Sequence, residues 1–228
     1  MGLSEGLHIA IIGSRGIPSG YSGYEEFVEQ LGVRLAERGH RVRVYCRRGL
    51  FRQRPQRYRG MDLVYLPSVD TKNLSTLTHS AACALHAMIR RPDIALFVNV
   101  ATAPFSRLVR LAGVKTVLNV DGMEWLRPKW SRLGRRYFRF CARIAGSCAD
   151  RVVTDAVAMR EIYLREFSTD SEVIAYGADL AYPRDPEKVR RLGLEPGRYF
   201  FTACRLVPDN NVDLMVRAFC ATSVQMRY

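Results

Sequence analysis

The segment HIAIIGSRGIPSGYSGYEEFVEQL, residues 8–31, decides the fold class. Its first part, HIAIIG, is continuous and β-branched, which is typical of a strand buried on both faces of a parallel sheet. Four glycines follow: Gly13, Gly16, Gly20 and Gly23. Phe27, Leu31 and Leu35 then recur at four-residue intervals, as on one face of a helix that Gly39 would end. The segment therefore predicts a strand, a glycine-rich turn and a helix.

The same alternation continues along the chain. Further strands are predicted at 41–46, 61–67, 94–100, 115–122, 150–155 and 171–177. Helices are predicted at about 74–90, 103–113, 129–148 and 156–167. This order specifies an α/β fold with a Rossmann-like, doubly wound parallel sheet, in which ligands bind at the carboxyl ends of the strands. The loops 13–23, 99–104, 121–128 and 177–180 are then expected at one edge.

Prolines, glycines and charges at 183–197 indicate a linker after a first domain of residues 1–182. A new strand is predicted in RYFFTACRL, residues 198–206, and a helix follows it. The segment 198–228 is about 30 residues long, too short to bury a core of its own. We therefore expect it to be the start of a second Rossmann-like domain.

The 228-residue chain is 48% hydrophobic, enough for a folded core, and carries a formal net charge of +13. There is no acidic residue between Glu37 and Asp62, or between Glu124 and Asp150. In the second stretch five arginines recur at helical spacing: Arg132, Arg135, Arg136, Arg139 and Arg143. Such charge favours a polyanionic neighbour: nucleic acid, an anionic membrane face or a phosphorylated substrate. Two interpretations of the basic helix stay open, a solvated charged face and attraction to lipid headgroups or a polyprenyl diphosphate.

Metal and disulfide chemistry find little support in the sequence. The six cysteines form no C-x-x-C pair and no zinc-like spacing with the four histidines, so we expect buried, reduced cysteines and no metal site. Glu5 and His8 interrupt any signal peptide, and no apolar run is long enough to span a membrane. We expect a cytoplasmic protein whose membrane contact, on the inner face of the plasma membrane, is peripheral.

The glycine-rich loop does not match a dinucleotide or mononucleotide site. G-x-G-x-x-G and the lysine-containing phosphate loop are both absent, and no acidic residue ends the second strand near position 45. Two readings remain. The loop is either an anion site, with Arg15 and the helix N-terminus near Gly23, or simply a tight turn.

Four segments carry a family resemblance: GSRGIPSGYSGYEEFVEQLGVRLAERGHRVRVYCR, NVDGMEWLRPKW, YGAD and RLVPDNNVDLMVRAF. Together they resemble GT-B-fold glycosyltransferases, most closely the rhamnosyltransferase-like group called DUF1972 within glycosyltransferase family 4. The resemblance extends over residues 8–219. It implies two Rossmann-like domains facing each other across a cleft, with the acceptor held by the N-terminal domain and the nucleotide sugar by the C-terminal one.

The resemblance also implies an activity. It is transfer of a sugar, with rhamnose from dTDP-rhamnose as the expected donor, to a lipid-linked saccharide acceptor in surface polysaccharide biosynthesis. Transfer would retain the anomeric configuration, with no metal and no cofactor besides the nucleotide sugar. The resemblance places the family's acidic E-x7-E segment beyond residue 228, so we expect a C-terminal truncation without turnover. The alternatives are a non-catalytic acceptor- or membrane-binding half-domain and a basic nucleic-acid-binding protein, although no nucleic-acid recognition motif accompanies the charge.

The resemblance, read with the predicted sheet, gives a candidate site. Asp121 and Glu124 follow a buried strand and are the candidate catalytic residues, as a base toward the acceptor hydroxyl or as ligands of sugar hydroxyls. Capping of the local turn is the alternative for both. The candidate substrate- and diphosphate-binding residues are Gly13, Ser14, Arg15, Gly16, Ser22, Gly23, Glu25, Gly122, Trp125, Lys129, Tyr176, Gly177, Asp179 and Arg205.

Physical chemistry supports a role for Arg205 and offers alternative explanations for Glu25 and Trp125. Arg205 would neutralise the departing diphosphate. Glu25 suits the positive end of its helix, so helix capping alone would also explain it. Trp125, like Trp130, would stack on a sugar ring or pack in the core.

Overall fold

The computed structural model describes residues 6–18, 20, 23–69, 71, 74–178, 185–204 and 206–222, without the side chain of Asp209. The chain divides into two compact units. The first comprises Met1–Leu126 and Trp130–Tyr176, and the second comprises Arg127–Lys129 and Gly177–Tyr228. Ser22, Asp179 and Arg205 of the predicted site lie outside the described residues.

The first unit is built on one eight-stranded sheet. Its strands are β1 (His8–Ile12), β2 (Arg41–Arg47), β3 (Arg57–Tyr58), β4 (Met61–Leu66), β5 (Ile94–Val98), β6 (Lys115–Val120), β7 (Arg151–Thr154) and β8 (Glu172–Val173). Their order is β3-β4-β2-β1-β5-β6-β7-β8. Every pair is parallel except β3 with β4, which are antiparallel. The predicted α/β fold with a doubly wound parallel sheet is confirmed.

Five helices connect the strands of this unit. They are α1 (Gly23–Glu37), α2 (Ser75–Arg90), α3 (Ala103–Leu111), α4 (Arg132–Cys148) and α5 (Val157–Phe167). Local residue chemistry sets their ends: the turn after α1 has Gly39 at φ 86°, as predicted. The Ser131 side chain accepts a hydrogen bond from the amide of Gly134 at 3.1 Å and caps α4.

Both faces of the sheet are buried. On β1, Ala10 and Ile12 belong to one core cluster, whereas Ile9 and Ile11 belong to the other. This alternation explains the uninterrupted apolar run Ile9–Ile12 of β1, since side chains on successive residues point to opposite faces. The helix α1 contributes Val28 to the second cluster.

The cysteines are all unpaired. Four of them, Cys46, Cys83, Cys141 and Cys148, are buried as predicted. The prediction is wrong for Cys204 and Cys220, which are exposed. Both belong to the second unit, whose described elements bury few large side chains.

The second unit has short elements. They are α6 (Pro186–Arg190), a 3-10 turn (Pro208–Asn210) and α7 (Val212–Cys220). The strand predicted at 198–206 is not formed in the described residues, where Tyr199 is an isolated bridge residue. A strand needs a hydrogen-bonded neighbour, and this unit supplies none of any length among its described residues. Its apolar side chains stay exposed, with Phe201 at 80% and Leu206 at 85%.

Among the helices that the structure describes, none combines the length and the apolar character needed to cross a membrane.

Candidate functional site

The strand order places a topological switch point between β1 and β5. From β1 the chain proceeds to β2 on one side, and from β5 it proceeds to β6 on the other. In open parallel sheets, ligands bind in the crevice at the carboxyl ends of such strands. Residues 13–18, 99–102 and 121–126, which are parts of the predicted loops 13–23, 99–104 and 121–128, follow β1, β5 and β6 at this edge.

The first two glycines of the opening loop lie against the sheet itself. Gly13 and Gly16 have φ values of 112° and 114°, which disfavour any other residue. A Cβ atom on Gly13 would overlap the carbonyl oxygen of Val98, and one on Gly16 would lie 2.7 Å from the side chain of Cys46. Their close approach is therefore to strands β5 and β2, and the tight-turn interpretation accounts for them. Gly23, in contrast, has no atom within 4 Å of that position.

Hydrogen bonds to other residues of the protein also fix the backbone of this loop. The Arg15 amide donates a hydrogen bond to Glu25 Oε1 at 3.1 Å, and the Gly16 amide donates to Ser14 Oγ at 3.2 Å. The Arg15 carbonyl accepts from the Arg47 amide at 2.9 Å. Glu25 is buried, with 5% exposure, so its carboxylate stabilises the loop and the start of α1. This contact of Glu25 is with a loop amide outside α1, so it is different from the helix capping considered for Glu25 in the sequence.

Asp121 is the first residue after β6, and its carboxylate accepts a hydrogen bond from the hydroxyl of Tyr24 in the first turn of α1. Burial and the nearby Asp121 carboxylate raise the pKa of Tyr24 well above its ordinary value. The phenol therefore stays protonated and acts as a donor toward Asp121. Sequence reasoning missed Tyr24, because no pattern in the chain links a helix start to a strand end so far away.

Tyr176 lies beside this pair. Its hydroxyl donates to Asn119 Oδ1 at 2.8 Å, and its ring lies 4.7 Å from that of Phe27. Burial raises the pKa of Tyr176, and the carboxylates of Asp121 and Asp155 raise it further. Asn119 is 2% exposed and is a second residue that sequence reasoning missed. Two neutral phenols thus stand near one carboxylate at the carboxyl edge.

Glu124 begins a 3-10 turn, Glu124–Leu126, and its Oε2 accepts a hydrogen bond from Trp130 Nε1 at 2.5 Å. Trp125, in the same turn, is 4% exposed and packs edge-on against Tyr163 and Phe167, with ring centroids 6.0 and 5.2 Å apart. Core packing, the alternative reading of Trp125, is therefore its role in the structure, and its ring offers no face to a sugar. Gly122 has φ 63° and open space around it.

The predicted residues are thus brought together only in part. The edge of the first unit collects Gly13, Ser14, Arg15, Gly16, Gly23, Glu25, Asp121, Gly122, Glu124 and Tyr176. Lys129 and Gly177 belong to the second unit. Within the described ranges, no group of histidine, cysteine, aspartate and glutamate side chains is arranged to hold a metal ion.

Residues 7–179 match the family model described as a domain of unknown function, DUF1972. The chain belongs to this family. The resemblance to DUF1972 inferred from the sequence motifs is therefore confirmed. No curated protein matches this DUF1972 chain.

Several solved structures share the fold. Sucrose-phosphate synthase from Thermosynechococcus elongatus superposes with a TM-score of 0.75 at 15% identity, over 96% of this chain and 60% of the synthase. Anabaena HepE, in complex with UDP and glucose, gives 0.64 at 16% identity, over 93% of this chain and 57% of HepE. Arabidopsis thaliana UGT89C1 complexed with UDP-L-rhamnose gives 0.51 at 13% identity, over 95% of this chain and 63% of that protein.

At these identities the likeness concerns the fold, and it agrees with the Rossmann-like sheet described above. The DUF1972 chain spans about 60% of the length of these three structures.

Proposed function

We propose that the DUF1972 chain supplies the acceptor-side domain of a glycosyltransferase. The enzyme would transfer a sugar from a nucleotide sugar to a lipid-linked saccharide during surface polysaccharide biosynthesis. Support comes from the fold shared with HepE, solved with UDP and glucose, and with UGT89C1, solved with UDP-L-rhamnose. Because this chain spans only part of such proteins, the complete reaction is assigned to the whole enzyme.

The observation that carries the proposal is the Tyr24–Asp121 pair at the switch-point edge. A carboxylate has about four lone-pair sites, so one that accepts a hydrogen bond from a phenol can also accept one from a sugar hydroxyl. Asp121 would accept a hydrogen bond from the acceptor hydroxyl and favour loss of its proton as the new glycosidic bond forms. Tyr24 positions the carboxylate, and Glu124 would bind a second hydroxyl.

Other residues are proposed to bind the nucleotide-sugar donor. Arg15 and the start of α1 near Ser22 and Gly23 would face the donor diphosphate, and Arg205 would neutralise it as it leaves. Lys129, Gly177 and Asp179 are proposed as further substrate- or diphosphate-binding residues. The proposed donor is dTDP-rhamnose, and the proposed transfer is retaining and independent of metal. A peripheral position on the inner membrane face would bring the domain to a lipid-linked acceptor, and the basic helix α4 suits an anionic surface.

Saturation-transfer NMR with the purified chain tests the acceptor assignment. The probes are rhamnose- and glucose-containing disaccharides, with dTDP-rhamnose and UDP-glucose in separate samples. We expect disaccharide signals from the wild type, their loss in Asp121→Asn, and their retention in Asp170→Asn. Asp170 is a matched control because it is an exposed carboxylate paired with Arg160 at 2.9 Å, in the loop before β8.

Equal disaccharide signals from Asp121→Asn and the wild type would remove Asp121 from the acceptor site. Absence of all sugar signals, combined with steeply salt-dependent oligonucleotide binding, would replace the proposal by a nucleic-acid-binding function.

A further inference from the structure

An apolar groove of about 310 Å³ lies between the start of α2 and the start of α4. Its walls include Leu74, Leu77, Trp130, Leu133, Gly134 and Phe138. The rings of Trp130 and Phe138 lie 4.9 Å apart and form one side. Leu133 is 77% exposed and Leu74 is 48% exposed, so apolar surface continues from the groove to the outside. Exposed apolar surface that is bordered by polar residues is typical of interaction sites.

The polar atoms of the aromatic walls are already used by the protein. The Tyr137 hydroxyl donates a hydrogen bond to the Ala101 carbonyl at 2.9 Å. Trp130 Nε1 donates to Glu124. The surface that these rings present to the groove is therefore hydrocarbon, which favours an apolar occupant over a sugar or a peptide backbone.

The first two turns of α4, which contribute Leu133, Gly134 and Tyr137 to the groove, are strongly basic. Arg132, Arg135 and Arg136 lie in the first two turns of α4, where the helix macrodipole is also positive and no acidic residue is present. Within the described part of the chain, Arg132, Arg136 and Arg143 have no carboxylate partner, while Arg139 lies 3.9 Å from Glu166. Positive charge beside an apolar groove complements a molecule that has an anionic head and a hydrocarbon tail.

The groove also adjoins the candidate site, because Trp130 belongs to both. Its ring lines the groove and its Nε1 atom binds Glu124, the predicted acceptor contact. A lipid bound here would place its headgroup near the carboxyl edge of the sheet.

We propose that this groove holds part of a hydrocarbon chain of an anionic bilayer lipid, whose phosphate lies against Arg132 and Arg136. The inference rests on the proposed function for the choice of a lipid, and it adds the site at which the membrane is contacted. Leu133 inserts beside that chain, and the outer face of α4 lies on the headgroups.

Tryptophan fluorescence tests the position of the chain, because the protein has only two tryptophans. Trp125→Phe leaves Trp130 in the groove, and Trp130→Phe leaves the buried Trp125 as the control. Each variant is mixed with vesicles of phosphatidylcholine and phosphatidylglycerol in equal amounts, with plain or brominated acyl chains. We expect brominated chains to quench Trp130 strongly and Trp125 little. If Trp125→Phe does not fold, the wild type serves, since its Trp125 is shielded.

Gly134→Leu is the variant that fills the groove. A Cβ atom at Gly134 meets only ordinary contacts, the nearest at 3.4 Å from Ser131 Oγ, and leucine favours the helix, so the fold is retained. We expect this variant to bind vesicles through its arginines while losing most of the quenching of Trp130.

The charge contribution is measured by vesicle partitioning. Arg132→Gln/Arg136→Gln should partition roughly 30-fold less well, at about fivefold for each arginine. The matched control is Arg38→Gln/Arg91→Gln, two exposed arginines where α1 and α2 end, at the amino ends of the strands. The control should change partitioning far less.

Three results would overturn the proposal. They are absence of binding to anionic vesicles, bound protein whose Trp130 is not quenched, and self-association without lipid that Gly134→Leu abolishes. None of these results depends on sugar binding. The disaccharide measurement with Asp121→Asn therefore tests the proposed function independently of the lipid site.

Discussion

The hydroxyl of Tyr24 donates a hydrogen bond to the carboxylate of Asp121, 97 residues further along the chain. The contact ties the first turn of α1 to the end of β6. Tyr24→Phe removes the donor and leaves a part-buried carboxylate without it, so we expect the free energy of unfolding to fall by about 1–2 kcal/mol. Urea unfolding measures this change. Asp121→Asn, which keeps an acceptor oxygen, should cost less, and equal stability of Tyr24→Phe and wild type would show that the bond contributes nothing.

The glycines of the opening loop should differ sharply in their tolerance of a side chain. Gly13→Ala places a methyl group on the Val98 carbonyl at a φ that alanine rarely adopts, and should cost at least about 2 kcal/mol. Gly20→Ala meets no atom within 4 Å and should stay within about 0.5 kcal/mol of the wild type. Thermal unfolding of the two variants makes the comparison. Similar melting temperatures would contradict the packing of Gly13 against β5.

Glu25 should stabilise the glycine-rich loop even when no ligand is bound. Glu25→Ala leaves the Arg15 amide without the acceptor it has at 3.1 Å, at a cost of about 1–2 kcal/mol. Glu25→Gln keeps a side-chain oxygen and should recover part of the loss. Amide hydrogen exchange of Arg15 is the sharper measurement, since only the alanine variant should accelerate it. Unchanged exchange in Glu25→Ala would leave ligand binding as the reason for this carboxylate.

His79 should make stability depend on pH. It is 1% exposed, and burial, with Arg47 nearby, lowers its pKa from 6.5 to about 4. Between these values the unfolded chain binds a proton that the folded chain does not, so stability falls as the pH falls from 6.5 toward 4. The full effect is about 3 kcal/mol.

His79→Gln tests this pH dependence by urea unfolding at several pH values. The variant should show a flatter dependence, with a residual slope from His8 and His86, whose pKa values burial also lowers. A slope equal to that of the wild type would mean that His79 is protonated in the folded state.

The strands were predictable where burial follows from composition alone. The run Ile9–Ile12 is apolar because both faces of β1 are covered, and the prediction needed no other residue. The alternating segment of β2 was harder, because Arg43 and Arg47 are both buried at 8% exposure. Arg47 reaches Ser75 and Thr76 of α2 through its guanidinium group. Ser75 lies 28 residues after Arg47, so the contact depends on the fold and no local sequence pattern predicts it.

The candidate site was also predictable only in part. The place of Asp121 follows from the end of a buried strand, and sequence alone fixes it. Its partner Tyr24 depends on how α1 packs over the sheet edge. The burial of Trp125 depends on α5, whose Tyr163 and Phe167 surround its ring. Such neighbours decide which side of a short turn faces inward, so the sequence alone leaves both interpretations of Trp125 open.

The margins of the sheet are formed by strands of two residues each, Arg57–Tyr58 and Glu172–Val173. At one margin the Arg57 side chain, 81% exposed, pairs with Asp62 and places charge beside the backbone. Short, charged outer strands offer a second chain little continuous backbone with which to pair. The long apolar central strands are thereby kept from recruiting another copy, and edge-to-edge aggregation of this basic domain is disfavoured.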